Sequence, residues 1–373
     1  MGFQGGGLEI FTRKKSKNEQ CIRVLMTGPH DSVKGGIRTV VNNYLKWEDW
    51  NGVELLYVPV FIEKNNVIKS LFFAINYLKI IRICFTEHLD IVHLHMAERG
   101  SFYRKAFILM FCRRMKIKTV IHHHGAEFLE FYDVSSPRKK TFIQKILKSA
   151  DMNLMLSRFQ ERQMLLRFPE IKSDVLYNSV EEYHTDIYDI KARNILFLGR
   201  LCERKGVYDL LLVLAECDKL LDGDIKVHLC GDGEIDRVQQ TVREYGMEHR
   251  IASVGWCSKD RIKEIYKETM LYILPSYHEG LPMSLLETMS YGIPCIVSNV
   301  AAIPEVIRNE KNGILVHAGN TEEIKSAILK LTTDEELRKK IGENGLSTIK
   351  RGFMMKDKTE ELKKIYDKIL RKG

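Results

Sequence analysis

Short apolar runs alternate along the chain with longer segments in which apolar positions recur every three or four residues. The runs are CIRVLMT, DIVHLHM, KTVIHHH and MNLMLS in the first half, then NILFLGR, IKVHLC, MLYILPS and PCIVSN in the second. Strands this apolar are buried on both faces, which predicts parallel sheets covered by helices. The rhythm restarts near residue 190 after the polar link EEYHTDIYDIKAR, and each half has the size of one doubly wound domain. A boundary is therefore predicted between about residues 181 and 193. Residues 334 to 372 read as charged helix with no strand after them, and their last segment, KTEELKKIYDKILRK, is amphipathic. In open sheets of this kind ligands bind beyond the carboxyl ends of the strands, so two facing sheets would share one site in the cleft between them.

With 45% hydrophobic and 29% charged residues over 373 positions, the chain has the balance of a soluble globular protein with two cores. The stretch SLFFAINYLKIIRICF is broken by Asn76, Lys79 and Arg82. It falls short of the roughly 20 clean apolar residues of a membrane span, so no transmembrane helix is expected. Residues 1–20 lack the layout of a secretory signal and read as a flexible extension. The eight cysteines form no C-x-x-C pair and mostly sit in apolar runs, which argues for a reducing compartment and against a zinc or disulfide framework. Charge is uneven: residues 1–180 hold 28 Lys and Arg against 17 Asp and Glu, the remainder 30 against 32. The first half is thus suited to an anionic partner, whether lipid headgroups, a phosphorylated substrate or nucleic acid. Nucleic acid is disfavoured, because no basic recognition helix or RNA-binding aromatic motif is present.

Five strand ends carry candidate chemistry. In YHEGLPMSLLETMSYG, Pro282 suits the first turn of a helix. The free amides of Gly280, Leu281, Met283 and Ser284 would form an anion site, phosphate being the obvious guest. Glu279 and Glu287 flank that site and cannot favour a phosphate electrostatically, so they are assigned to sugar hydroxyls. In NILFLGRLCERKGVYDLL, Arg200, Arg204 and Lys205 follow a strand directly, a cation set that fits a diphosphate. In TVIHHHGAEF, alternation puts His122 and His124 on one side and His123 on the other. A metal is set aside there, because adjacent residues rarely converge on one ion and no carboxylate or cysteine has suitable spacing; His124, beside Gly125 and near Glu127, is given a polar role. The glycine loops at Gly35–Gly36 and at Gly231 in LCGDGE allow close backbone approach to a phosphate or sugar.

Together these motifs resemble family 4 of the nucleotide-sugar glycosyltransferases, of the bacterial surface-polysaccharide type. The resemblance rests on E-x7-E at Glu279 and Glu287, FLGRLCERKG, LCGDGE, the Gly35–Gly36 loop and HHHG, and spans nearly the whole chain. It implies an α/β fold of two facing Rossmann-like, doubly wound parallel-sheet domains, called GT-B. Domains of 21–182 and 183–349 are expected, with 350–373 crossing back to complete the first.

The implied activity is retaining, metal-independent transfer of a sugar from a UDP- or GDP-linked donor to a glycan or lipid-linked saccharide, with no bound cofactor. The resemblance implies His124, Arg200, Lys205 and Glu279 as catalytic residues. It gives Glu287 the ribose and places Gly36 and Arg204 at the phosphates. Gly280, Leu281, Pro282, Met283 and Ser284 would meet the sugar and phosphate, and Gly255, Trp256 and Cys257 the base. Thr288 stands where relatives most often have alanine. NYLKIIRICF and SFYRKAFILMFCRRMKIK, rich in aromatic, apolar and cationic residues, suggest a cytoplasmic enzyme peripheral on the inner face of an anionic membrane. The rival on the same fold is a sugar-nucleotide epimerase, which needs no acceptor.

Overall fold

The computed structural model describes residues 21–184 and 188–371; the expected extension at 1–20 lies outside the described residues. The chain divides into two compact units, Met1–Tyr177 with Met355–Gly373, and Asn178–Met354. The sequence reading places the first boundary at 182/183. The earlier position has a local cause. The Asn178 amide donates to Leu281 O at 2.7 Å and Val180 N to Phe353 O at 3.0 Å, so this segment is bonded into the second unit.

The first unit is a six-stranded parallel sheet of β1 (Ile22–Pro29), β2 (Val53–Phe61), β3 (Ile91–Met96), β4 (Lys118–His123), β5 (Met152–Met155) and β6 (Ser173–Val175). Its order is β2-β1-β3-β4-β5-β6. The helix Met355–Arg371 belongs to this unit: Tyr366 OH meets His93 Nδ1 at 2.7 Å, and Lys368 pairs with Asp174 at 3.3 Å. Its buried Leu362, Ile365, Tyr366 and Ile369 form the apolar face that KTEELKKIYDKILRK announces.

The second unit holds β7 (Asn194–Leu198), β8 (Val227–Cys230), β9 (Ile251–Gly255), β10 (Thr269–Leu274), β11 (Cys295–Ser298) and β12 (Ile314–Val316). These strands are again all parallel, in the order β12-β11-β10-β7-β8-β9. Counted from its own first strand this is the Rossmann order 3-2-1-4-5-6, whose topological switch falls between β7 and β10. In the first unit the switch lies between β1 and β3. Both units are thus doubly wound α/β, the fold class the sequence predicts. No helix among the described residues is long and apolar enough to cross a membrane.

Candidate functional site

The switch of the second unit joins two loops that are distant in sequence. β7 ends at Leu198 and runs through Gly199 and Arg200 into a single turn, Glu203–Lys205, before the helix Val207–Cys217. β10 ends at Leu274 and leads through Ser276 to Glu279, then to the helix Met283–Ser290. The loops interlock. Tyr277 N donates to Arg204 O at 2.9 Å, and the Arg204 guanidinium donates to His278 O at 2.8 Å. Gly206, at φ 72°, is what lets them close, since a Cβ there would run into Pro275 O.

The closure brings Lys205 Nζ onto Glu279 Oε1, which also accepts from Ser276 Oγ at 2.7 Å. Glu279 is 7% exposed, so its charge is held by these two partners rather than by water. Arg200 is exposed, with no hydrogen bond or ion pair among the described residues. The Arg204 guanidinium, expected at the phosphates, donates to a backbone carbonyl and so ties the two loops together.

Pro282 also sits one position earlier than expected, capping the helix at φ −64° and ψ 127° instead of opening its first turn. The amides of Gly280, Leu281, Met283 and Ser284 meet no acceptor among the described residues. They form a cluster of N–H donors at a helix start. Ser284 Oγ shares a hydrogen bond of 2.8 Å with the buried Tyr272 hydroxyl, which anchors this first turn to β10.

Glu287 lies one turn further on, partly exposed and with no side-chain hydrogen bond among the described residues. Burial pushes its carboxyl up to about 7; Lys259 draws it down and Glu181 pushes it further up. Glu181, whose charge acts on it, carries a buried Oε1 with no hydrogen-bond partner among the described residues.

The third wall is the end of β8 and β9. Gly231 N donates to Gly255 O at 2.9 Å, Leu201 N to Asp232 O at 2.6 Å, and Glu234 N to Leu201 O at 2.7 Å. A Cβ on Gly231 would strike Gly199 O, so this glycine serves the packing of two strand ends against each other. Gly255 turns at φ 121°, Trp256 beyond it is 52% exposed, and Cys257 Sγ lies 3.2 Å from Cys230 Sγ. A cavity of about 650 Å³ elsewhere in this unit, lined by Val306, Asn312, Lys340 and Thr348 among others, shares no residue with these loops.

In the first unit Gly35, at φ 119°, opens the helix Gly36–Lys46 without a side-chain cap, and open space surrounds both glycines. Of the three histidines after Val120 and Ile121, His122 and His123 are buried and only His124 reaches the surface. His123 turns away to Asn153 Oδ1 at 3.1 Å, while His124 Nε2 meets His95 Nδ1 at 2.9 Å. Burial pushes the imidazoles of His93, His95, His122 and His124 below the usual histidine range, so they are neutral at pH 7. Sequence reasoning missed two neighbours. Glu98 carries a buried, unpaired Oε2 against the bare Cα of Gly125, and Lys105 Nζ meets Ser101 Oγ at 3.0 Å. Arg99 beside them has φ 54°, unusual for arginine and a sign of a strained strand end. The signal for Glu98 and Arg99 was the run MAERGS at the end of β3, which stops short of Lys105.

Residues 187–348 match the family described as glycosyl transferases group 1. The chain is 30% identical over 281 residues to an uncharacterized glycosyltransferase of Methanocaldococcus jannaschii, covering 69% of this chain and 70% of that one. It is 24% identical over 340 residues to the UDP-Gal:alpha-D-GlcNAc-diphosphoundecaprenol alpha-1,3-galactosyltransferase of Escherichia coli, covering 85% and 84%. Among solved structures, Anabaena HepE in complex with UDP superposes with a TM-score of 0.73 at 14% identity, covering 93% of this chain and 100% of that one.

Proposed function

The chain belongs to the group 1 glycosyl transferases, and from that premise we propose that it transfers a sugar, with retention, from a UDP-linked donor to a lipid-diphosphate-linked saccharide of surface polysaccharide synthesis. The observation that carries the reading is the Lys205–Glu279 pair beside four acceptor-free amides at the β7/β10 switch. A diphosphate at the helix start would be met by those amides, by Arg200 and by Lys205. Glu287 would accept the ribose hydroxyls, and Trp256 offers an apolar face to the base. UDP is preferred to GDP because the galactosyltransferase relative and the HepE complex both carry UDP in their names. The diphosphoundecaprenol of the same relative suggests the acceptor.

For the transfer itself, Glu279 is a poor nucleophile, since its Oε1 is committed to Lys205 and Ser276. That supports front-face attack: the acceptor hydroxyl oxygen bonds to the anomeric carbon on the face from which the diphosphate leaves. The leaving phosphate oxygen takes the hydroxyl proton. Lys205, Arg200 and the amides neutralise the charge that builds on the diphosphate, so no metal is needed for this step. Trapping a covalent sugar on Glu279 would overturn this order of events.

Glu287 gives the reading a pH signature. Its folded value of about 7 lies above the ordinary 4.5, so its contribution to stability is complete below about pH 4.5 and is lost as pH rises through 7. Binding has the opposite sign, because only the ionised carboxylate accepts ribose hydroxyls without first losing a proton. Calorimetric titration with UDP should show affinity about tenfold weaker at pH 6 than at pH 8. Glu287→Gln should bind weakly and without that slope; a wild-type slope equal to the variant's removes Glu287 from the site.

Membrane docking would use the helix Asn66–Thr86. Val67, Leu71, Ile75, Leu78 and Phe85 recur at helical spacing and are exposed, Leu71 at 60%, Leu78 at 65% and Phe85 at 67%. Phe107 and Met110 add exposed apolar surface on the helix Gly100–Arg114. Lysines and arginines, including Lys64, Arg82 and Arg114, accompany both helices. This combination suits anionic headgroups. Flotation with anionic liposomes should recover the protein, and Leu71→Glu with Leu78→Glu should abolish recovery; equal failure to float with anionic and neutral liposomes contradicts docking.

A further inference from the structure

The sequence reading set aside a metal at the triple histidine for want of converging partners. The partners come from the neighbouring strand. His95 of β3 and His122 of β4 are directly opposed in the parallel register, and His93 lies two residues back on the same face. One nitrogen of each of the three rings lies within 4.8 Å of the others, and all three rings are buried.

The hydrogen bonding of these rings is incomplete in a particular way. His95 Nε2 and His122 Nε2 are buried with no partner. On the opposite side of the rings, His93 Nδ1 is paired with Tyr366 OH at 2.7 Å and His95 Nδ1 with His124 Nε2 at 2.9 Å. Buried polar atoms are normally paired, and leaving two imidazole nitrogens bare is costly. In His95, as in a metal-ligating histidine, one nitrogen is held by a hydrogen bond and the other is bare. His93 Nε2 and His122 Nδ1 share a hydrogen bond of 3.2 Å, which an ion held by these two nitrogens would replace, the His122 proton moving to its bare Nε2; the spacing is close to the roughly 3.3 Å between two nitrogens of a tetrahedral zinc with bonds of about 2.0–2.1 Å.

We propose that His93, His95 and His122 bind one divalent transition-metal ion, zinc in the first instance. A donor set made only of imidazole suits Zn²⁺, Cu²⁺ or Ni²⁺ and not Mg²⁺ or Ca²⁺, which take oxygen ligands. Lys105 is the cation that bears on His95, and burial brings its pKa down to about 7, which limits the repulsion. The bound ion would tie β3 to β4 and, through the His93–Tyr366 bond, to the returning helix Met355–Arg371. Through His95 it would also fix the ring of His124. The site lies in the first unit and is independent of the donor reading.

The test uses the purified full chain, stripped with a chelator and titrated with Co²⁺ and Zn²⁺. Wild type should take up one equivalent of Co²⁺ with the visible bands of a tetrahedral ion, and Zn²⁺ should displace it. Zn²⁺ should also raise the unfolding midpoint with increasing concentration. His95→Asn with His122→Asn should lower Zn²⁺ affinity at least tenfold. His249→Asn with His317→Asn, at exposed positions, should leave it unchanged. If the core variant does not fold, the wild-type titration decides alone. No tetrahedral band and no midpoint shift in wild type, or unchanged binding in a folded core variant, overturns the proposal.

Discussion

Lys205→Ala is expected to lower kcat by about 10²- to 10³-fold, the usual cost of removing one preorganised charge aimed at a leaving group. KM for the donor should change far less, because the amides of Gly280, Leu281, Met283 and Ser284, together with Glu287, still hold the nucleotide. The structure adds a second effect. Without its ammonium, Glu279 is left as a buried carboxylate bonded only by Ser276, so the variant should also lose stability, by up to about 3 kcal/mol. Lys205→Ala with Glu279→Gln should recover much of that stability and none of the activity. Chemical denaturation and initial rates on the two variants separate the roles. If the double variant regains kcat, the lysine acts only as a counterion, and the electrostatic role assigned to it fails.

Gly231→Ala should be the most damaging single methyl in the second unit. The new Cβ would overlap Gly199 O, a backbone atom that cannot swing aside as a side-chain tip can. The joint between β7 and β8 would have to open, and with it the bonds Gly199 N to Cys230 O at 3.0 Å and Leu201 N to Asp232 O at 2.6 Å. Overpacking of this kind costs about 3 kcal/mol or more. The loop bearing Arg200 and Lys205 hangs from that joint, so UDP affinity should fall together with stability. Gly35→Ala is a useful contrast. Its φ of 119° strains any side chain, yet the space around it is open, and the cost should be the smaller one of backbone strain alone. A Gly231→Ala protein as stable as wild type would show that the strand ends do not meet as described.

The eight apolar runs read from the sequence all became strands, and they are the eight interior strands of the two sheets. The four strands that pattern did not announce, β2, β6, β9 and β12, are the four sheet edges. Edge strands are buried less completely and are often short, and β6 and β12 have only three residues each. β2 is long and apolar, but Pro59 interrupts it, as proline can only at an edge or bulge.

The site shows the same division between local and distant information. Glu279, the amide cluster after it and the Arg200–Lys205 run could be read from residues adjacent in sequence. The contact of Lys205 with Glu279 could not, because it depends on β7 and β10 being neighbours across the switch. The bond from Arg204 to His278 O of the other loop was hidden for the same reason. HHHG left open which of three adjacent histidines faces the sugar; register with β3 sets His122 and His124 beside His93 and His95 and leaves His123 turned away to Asn153.

The central claim is that the β7/β10 switch holds a nucleotide sugar whose sugar is passed to an acceptor. It is tested most directly by measuring free nucleoside diphosphate released from a panel of UDP- and GDP-linked sugars, with and without a lipid-diphosphate-linked saccharide. Release from one UDP-sugar that requires the acceptor, transfers the sugar with retention and is lost in Lys205→Ala is the predicted result. Conversion of the donor sugar to its epimer without any acceptor, or release unaffected by Lys205→Ala, would contradict it.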